Sequence, residues 1–268
     1  MKPKKTKSSC LQILSPNKKA YSAIACFILL NLLSFFWVEN LSSQVIRKSQ
    51  VFFKSADGLL VTADLYKSLN SNPYVILFHQ EQSSRGEFDS IASRFIKMNY
   101  NCMSVDLRSG DKFGFVKNET AIRAKQEGFS MKLRKASLDM EAAIDFLSQF
   151  SDQKVTLFGS ASSASLALIV GLNNENVNSV VALSPGEYFS PEFELKKVLS
   201  NYPKPVFVAC TEEEYPYFSD IEGFTGSDKT LFKPTISKGQ RGTNALKREN
   251  PARDEYWLSL LIFFKSLR

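Results

Sequence analysis

Residues 155–168, VTLFGSASSASLAL, have the pattern of a strand that turns sharply into a helix. The apolar, partly β-branched start predicts a short buried strand, and small residues then lead into an apolar helical pattern. A turn of this kind with the pattern G-x-S-x-G holds a serine hydroxyl above a sheet for attack on a carbonyl carbon. In the frame that Gly159 sets, the nucleophile position is Ala161. A methyl group cannot attack a carbonyl, so this turn lacks the nucleophile of its usual chemistry.

Acyl transfer also requires a base beside the nucleophile and donors to the developing oxyanion. A frame shifted by one residue makes Ser162 the nucleophile between small neighbours, but it moves Gly159 off the tight position. The chain contains one histidine, His79, which directly follows the apolar run 74–78. Ser162 with His79 is therefore an alternative catalytic pair. The competing interpretation is that His79 braces the backbone beside the site.

The positive charge is concentrated at the amino terminus. The net charge is +7 at pH 7, and six lysines lie in the first 19 residues without any acidic residue. Without those six, 28 basic residues stand against 27 acidic ones. The rest of the chain is nearly neutral, so its composition gives no support for a nucleic-acid partner.

The cysteines favour neither a metal site nor a disulfide framework. The chain contains four of them, Cys10, Cys26, Cys102 and Cys210. None has a CxxC or Cys/His spacing typical of metal ligands, so we expect no metal and no cofactor. Cys102 and Cys210 lie in strand-like runs and are expected to be buried free thiols.

Residues 20–38 carry no charge and are rich in leucine, isoleucine and phenylalanine. A helix of this length spans roughly 28 Å, close to the hydrocarbon thickness of a bilayer. Because the lysines come first, the positive-inside rule places a basic tail, 1–19, in the cytoplasm and a domain, 39–268, outside it. The alternative is a signal peptide cleaved after Ser43, leaving a secreted or periplasmic protein, although that site matches the cleavage pattern poorly.

Strand and helix patterns alternate along the domain. The predicted strands are 43–55, 58–67, 74–78, 101–107, the run from Val155, 177–183, 205–210 and 229–232. The predicted helices are 88–98, 136–150, the one after Gly159, and 256–267. Ala56-Asp57-Gly58 predicts a hairpin turn, and the glycine-containing stretch 108–133 is expected to be a long excursion. The alternation predicts a mainly parallel sheet flanked by helices.

With these pieces in place, the chain resembles the α/β-hydrolase superfamily, and within it the dienelactone-hydrolase-like group of bacterial hydrolases. Five blocks carry the resemblance: FHQEQSSRGEF (78–88), VDLRSG with VKNET (105–110 and 116–120), FGSASSASLAL (158–168), LSPGEYF (183–189) and KGQRGTNAL (238–246). Their order and spacing imply an α/β-hydrolase fold for the domain. Two blocks depart from the group, whose elbow reads GSSYSASL and whose C-terminal motif reads GxHGxxxL.

The resemblance implies a role for each catalytic position. The histidine of GxHGxxxL is replaced by Arg241, whose guanidinium stays protonated and cannot accept a proton from serine. The orienting acid corresponds to Glu214, for which an exposed acidic loop is the alternative. The implied oxyanion donors are the backbone N–H groups of Gln80 and Ser162, which need no particular side chain. His79 lies where the group carries a bracing histidine in its oxyanion loop.

Arg241 opposite Glu214 has two interpretations. An ion pair could replace the histidine–acid pair, and would either plug the site or leave an anion-binding pocket beside the N–H donors. The favoured interpretation is that Arg241 points to solvent, as a result of drift after catalysis was lost. Further charged residues near predicted strand ends could line a pocket, although loop-bracing ion pairs are favoured for them: Arg85, Glu87, Asp106 and Arg108.

Two losses together favour an exported, membrane-anchored α/β-hydrolase-fold protein without serine-hydrolase catalysis, acting in binding or regulation. Its expected partners are the membrane, through residues 20–38, and a small ester, lactone or anion. The alternative is an active carboxylic-ester or lactone hydrolase that uses Ser162 with His79. A third hypothesis, an engineered loss of the nucleophile from an active enzyme, accounts for Ala161 but leaves Arg241 unexplained.

Overall fold

The computed structural model describes residues 46–69, 71–221, 223–224 and 228–268. Ten strands occur in this part of the chain: β1 (Arg47–Lys54), β2 (Leu60–Lys67), β3 (Tyr74–Phe78), β4 (Asn101–Val105), β5 (Lys112–Phe113), β6 (Val116–Lys117), β7 (Val155–Ser160), β8 (Val177–Leu183), β9 (Val206–Ala209) and β10 (Lys229–Phe232). Eight of them form one sheet in the order β1-β2-β4-β3-β7-β8-β9-β10. Strands β5 and β6 form a separate hairpin.

Most of the sheet is parallel, as the alternation of elements predicts. Strand β1 pairs antiparallel with β2 across the predicted Ala56-Asp57-Gly58 turn, and β2 pairs antiparallel with β4. Strands β3, β4, β7, β8, β9 and β10 run parallel to one another. The carboxyl ends of β3 and β7 therefore lie side by side, with Phe78 opposite Gly159. This brings His79 and Ala161 to the same edge of the sheet.

Seven α-helices occur in the described part of the chain: α1 (Asp89–Lys97), α2 (Glu119–Glu127), α3 (Ser137–Ser148), α4 (Ser162–Asn173), α5 (Leu195–Ser200), α6 (Tyr215–Ser219) and α7 (Arg253–Ser266). Three short 3₁₀ turns cover Arg85–Phe88, Leu133–Ala136 and Gly242–Leu246. The short helices α5 and α6 have no counterpart in the sequence prediction.

The stretch 108–133 is more structured than the sequence pattern indicates. It contains the β5–β6 hairpin, helix α2 and the start of a 3₁₀ turn. The side chain of Asn118 caps α2 by accepting the Ala121 N–H at 2.8 Å, and Gly128 ends the helix at φ +77°. The stretch is a long excursion between two elements, as predicted, but the sequence analysis assigned none of these elements within it.

The predicted basic tail 1–19, the apolar segment 20–38 and the cleavage site after Ser43 all lie outside the described residues. Among the helices that are described, none has the combination of length and hydropathy needed to cross a membrane. Cys102 and Cys210 are buried free thiols, as expected. The described residues contain no cluster of three or more metal-ligating side chains.

Apolar side chains cover both faces of the sheet because buried parallel strands alternate them between faces. Leu157 belongs to the core cluster that packs against α3 and α4, while Phe158 belongs to the cluster against α1 and α7. Phe158 makes edge contacts with Phe88 and Phe95 at ring-centroid distances of 6.0 and 5.6 Å. Strand β7 is thus fixed from both sides.

Arg108 is a fully buried cation that joins three segments of the domain. Its guanidinium contacts Asp139 of α3 at 2.8 Å and Asp57 of the β1–β2 turn at 2.5 Å. Its backbone N–H also donates to Asp139 Oδ2 at 2.9 Å. Arg85 forms a second such centre, with Asp106 at 2.5 Å. The bracing role favoured for these arginines is the one that their contacts show.

The ion pair of Asp57 with Arg108 makes the stability of the domain depend on pH in the acid range. Hydrogen bonds from Arg108 to both carboxylate oxygens hold the pKa of Asp57 well below its usual range. The group is therefore more acidic folded than unfolded, so its contribution to stability is complete above about pH 4 and declines as the pH falls further.

We expect Asp57→Asn to be less stable than the unmodified protein at pH 6, with a difference that narrows by pH 3. Urea unfolding at both pH values measures the effect. Asp220→Asn is the control, because Asp220 is exposed and has no ion pair among the described residues. A difference that stays constant across this range would contradict the linkage.

Candidate active site

The turn between β7 and α4 has the geometry of a nucleophile elbow. Ala161 adopts φ +51° and ψ −116°, a region that residues other than glycine rarely occupy. Its N–H donates to the Leu183 carbonyl oxygen of β8 at 2.9 Å. A Cβ atom on Gly159 would lie 2.4 Å from Ala164 Cα, so only glycine permits this approach of strand and helix. The strained corner is complete, and its side chain is a methyl group.

The segment around Gly242 packs directly on the elbow. Gly242 has φ +56°, and a Cβ atom there would lie 2.6 Å from Ser160 Oγ. The next N–H, that of Thr243, donates to Ser160 Oγ at 3.1 Å, and the Gly242 N–H donates to Ser184 Oγ at 3.1 Å. Arg241, which immediately precedes Gly242, is therefore brought to the edge of the elbow.

Arg241 and Glu214 form an ion pair at this edge. Arg241 Nε lies 2.6 Å from Glu214 Oε1, and Arg241 Nη2 donates to Tyr188 Oη at 3.4 Å. The other carboxylate oxygen of Glu214 accepts the Thr211 N–H at 3.0 Å. The Glu214 side chain is only 17% exposed, whereas that of Arg241 is 62% exposed. The ion pair is therefore present, and the favoured interpretation, in which Arg241 only points to solvent, is wrong, although the arginine lies on the solvent side of the pair.

Arg241 cannot accept or relay a proton in this pair. Burial alone would lower the pKa of Arg241, but the charge of Glu214 and the hydrogen bonds to Glu214 and Tyr188 outweigh it and raise the pKa above its ordinary value. An arginine in this setting stays a hydrogen-bond donor and cannot act as a base. A cavity of about 430 Å³ opens beside the pair, lined by Thr211, Glu213, Glu214, Lys238, Gly239 and Arg241.

His79 is fully buried, and both of its ring nitrogens are engaged. Its Nε2 accepts the Leu107 N–H at 2.9 Å, which places the proton on Nδ1, and Nδ1 donates to the Gln80 carbonyl oxygen at 2.7 Å. Its own carbonyl oxygen accepts the Ser163 hydroxyl at 2.6 Å. These contacts brace the loop after β3. The geometry does not supply Ser162 with the base that the alternative catalytic pair requires.

The backbone N–H groups after β3 differ from the expectation. The Gln80 N–H, expected as an oxyanion donor, is used otherwise and donates to Glu87 Oε2 at 3.2 Å. The N–H that faces the start of α4 is that of Glu81, which lies 3.3 Å from Ser162 Oγ. Ser162 is the first residue of α4, so its N–H has no acceptor within the helix. The donor geometry thus involves Glu81 and Ser162 in place of Gln80 and Ser162.

Sequence patterns did not single out Glu81, Thr243 or Tyr188, and they assigned Glu87 no specific contact. Glu87 is buried and links two distant segments, accepting the Gln80 N–H and the Thr243 hydroxyl, the latter at 2.6 Å. These residues lie in the blocks 78–88, 183–189 and 238–246. No local spacing connects residues so far apart in the chain, and only folding brings them together.

Solved structures with the same architecture include an esterase and a dienelactone hydrolase. The Pyrococcus furiosus esterase Pf2001 is similar at 16% identity and a TM-score of 0.61, over 85% of this chain and 93% of that one. The dienelactone hydrolase from Anabaena variabilis is similar at 16% identity and 0.61, over 82% and 97%. The α/β-hydrolase GrgF from Penicillium sp. sh18 is similar at 14% and 0.62, over 82% and 98%.

These likenesses, with the sheet order and the elbow, show that the chain has the α/β-hydrolase fold. Each alignment spans nearly the whole of the other chain, so the likeness is not confined to one motif. A scan against protein-family models and a search of curated proteins found no match. The resemblance inferred from the five sequence blocks is confirmed at the level of the fold.

Proposed function

We propose that this chain is an α/β-hydrolase-fold protein that has lost serine-hydrolase catalysis and acts by binding a ligand or regulating a partner. The observation that carries the proposal is the pairing of two departures at one place. A methyl group occupies the strained elbow position at Ala161, and an arginine bound to Glu214 occupies the position assigned to the base. Neither group can form an acyl-enzyme or accept a proton.

The ligand class follows from the groups that remain. The Arg241 guanidinium and the Tyr188 hydroxyl can donate hydrogen bonds, and the cavity beside the ion pair also includes Lys238. A small ester, lactone or anion offers the matching acceptors. These groups would then bind the ligand without converting it to product.

A fluorophosphonate probe and a panel of short acyl esters test the loss of catalysis. We expect neither serine labelling nor hydrolysis above the uncatalysed rate. Ser162→Ala is the matched variant, since it removes the candidate nucleophile beside Ala161. Labelling that maps to Ser162 and disappears in this variant would overturn the proposal and support the alternative hydrolase.

The proposal also places the domain outside the cytoplasm, anchored through residues 20–38 with the basic tail 1–19 inside. It is supported by the uncharged run and the lysines before it. The N-terminal residue of the mature protein tests the anchor. A chain recovered intact from the membrane fraction supports it, whereas a mature protein beginning at Gln44 overturns it in favour of cleavage after Ser43.

A further inference from the structure

Two successive backbone N–H groups lie in the loop that follows β3, and both donate hydrogen bonds to side chains of the same domain. The Gln80 N–H donates to Glu87 Oε2 at 3.2 Å, and the Glu81 N–H donates to Ser162 Oγ at 3.3 Å. In an acyl-transfer site, N–H groups at this place must be open to the carbonyl oxygen of the substrate. Here they have intramolecular acceptors.

The Ser162 hydroxyl already accepts a hydrogen bond from one of the two donors at the elbow, the Glu81 N–H. Ser162 directly follows Ala161, and its Oγ is three bonds from its own N–H and within hydrogen-bond distance of the Glu81 N–H. The residue is 2% exposed, so water does not readily replace this contact. A ligand oxygen that binds both N–H groups would have to displace a tethered hydroxyl group.

Glu87 keeps the other N–H of the loop after β3, that of Gln80, from serving as a substitute donor to a ligand. One oxygen of this buried carboxylate holds the Gln80 N–H, and the other accepts the Thr243 hydroxyl at 2.6 Å. Thr243 is in turn fixed to the elbow, because its N–H donates to Ser160 Oγ. Turning the Gln80 N–H towards a ligand would leave a buried carboxylate without one of its partners, which is costly.

We propose that the Ser162 hydroxyl is a built-in occupant of the oxyanion site, so the donors are closed in addition to the loss of nucleophile and base. This inference rests on the proposed function, since it concerns the same site. Ser162 is then the residue that determines whether a carbonyl oxygen or anion can enter between Glu81 and α4. Removing its hydroxyl opens the site without changing Ala161 or Arg241.

Amide hydrogen exchange by NMR tests the occupancy directly. We expect the Glu81 N–H to be protected in the unmodified protein and to exchange at least about tenfold faster in Ser162→Ala. The Gln80 N–H, held by Glu87, should keep its protection in both. Ser179→Ala is the control, because it also deletes a buried, hydrogen-bonded hydroxyl, paired with Thr156 at 2.9 Å in the sheet. Equal protection of Glu81 in Ser162→Ala would overturn the inference.

A second readout uses a chain in which the nucleophile and base are restored by Ala161→Ser and Arg241→His. Adding Ser162→Ala to this chain is expected to raise the rate of 4-nitrophenyl butyrate hydrolysis about tenfold to a hundredfold, the order of one oxyanion donor. If the restored chain is active and Ser162→Ala leaves its rate unchanged, the inference is contradicted. If the restored chain is inactive, the exchange rate of the Glu81 N–H is the deciding measurement. Hydrolysis by the unmodified chain would overturn the proposed function, whereas the exchange rate of the Glu81 N–H tests the inference independently of any activity.

Discussion

The double variant Ala161→Ser, Arg241→His is expected to hydrolyse short acyl esters at a measurable rate, whereas each single change leaves almost none. The elbow that would hold the serine is already strained into shape, with φ +51° at residue 161. Residue 241 is adjacent to Gly242, whose backbone packs on Ser160, and Glu214 is placed to orient a histidine there. The double change therefore returns a nucleophile and a base to a backbone that already has the geometry to hold them.

Cooperation between nucleophile and base explains why the single variants should fail. In another triad hydrolase, removing the serine or the histidine alone costs roughly a millionfold in turnover, about as much as removing the whole triad. A serine beside Arg241 has no proton acceptor, and a histidine beside Ala161 has no nucleophile to activate. Steady-state hydrolysis of 4-nitrophenyl butyrate by the three variants measures this dependence.

The matched control for the double variant is Ala161→Ser with Arg241→Gln. It removes the arginine charge and the ion pair with Glu214 but supplies no base. If it equals the histidine variant in rate, relief of the ion pair and not general-base catalysis explains any activity. Activity of Ala161→Ser alone would show that residue 241 is not the base position.

Arg108→Met is expected to destabilise the domain by about 3–5 kcal/mol, the range for breaking a buried ion pair on one side. Arg108 is fully buried and contacts Asp139 at 2.8 Å and Asp57 at 2.5 Å. Methionine fills similar volume but leaves Asp139 buried without its cation, in a place where burial already raises the pKa of that carboxyl group. The free energy of unfolding from urea titration at pH 7 measures the loss.

Arg94→Met is the control for this substitution. Arg94 lies on the surface, 4.8 Å from the Trp257 ring and 4.0 Å from Asp254, so its loss should cost less than about 1 kcal/mol. Replacing Asp139 by leucine together with Arg108→Met should recover part of the stability, because no unpaired buried charge then remains. Equal losses in the Arg94 and Arg108 variants would refute the bracing role.

The elbow and the positions of Arg241 and Glu214 could be anticipated from the sequence because their signals are local or tied to short blocks, whereas the ion pair between the two side chains could not. The small residues around Gly159 predict a close strand–helix approach, and Arg241 precedes a glycine within a recognisable block. Helix α2 was missed although its local signals exist, with Asn118 as its cap and Gly128 as its end. The glycines flanking this stretch outweighed its helical pattern.

The oxyanion donors could not be placed from residue types. Any residue carries a backbone N–H, and its direction depends on loop dihedral angles that the sequence of the loop does not specify. Glu87 accepts the Gln80 N–H, whereas His79 holds the Gln80 carbonyl oxygen, which belongs to the same peptide group as the Glu81 N–H. Glu87 and Thr243 meet only after folding, so no spacing in the sequence reveals their contact.

The strained conformation of Ala161 is maintained by packing and not by chemistry. Backbone strain of this kind costs of the order of 1–3 kcal/mol and persists only where the surroundings enforce it. Strand β7, between two apolar layers, and the close contact of Gly159 with α4 enforce it here. A requirement for a stable domain is therefore sufficient to preserve the outline of an active site after its reaction is gone. In this fold, a well-formed elbow reports on the integrity of the core, and only the side chains it carries report on activity.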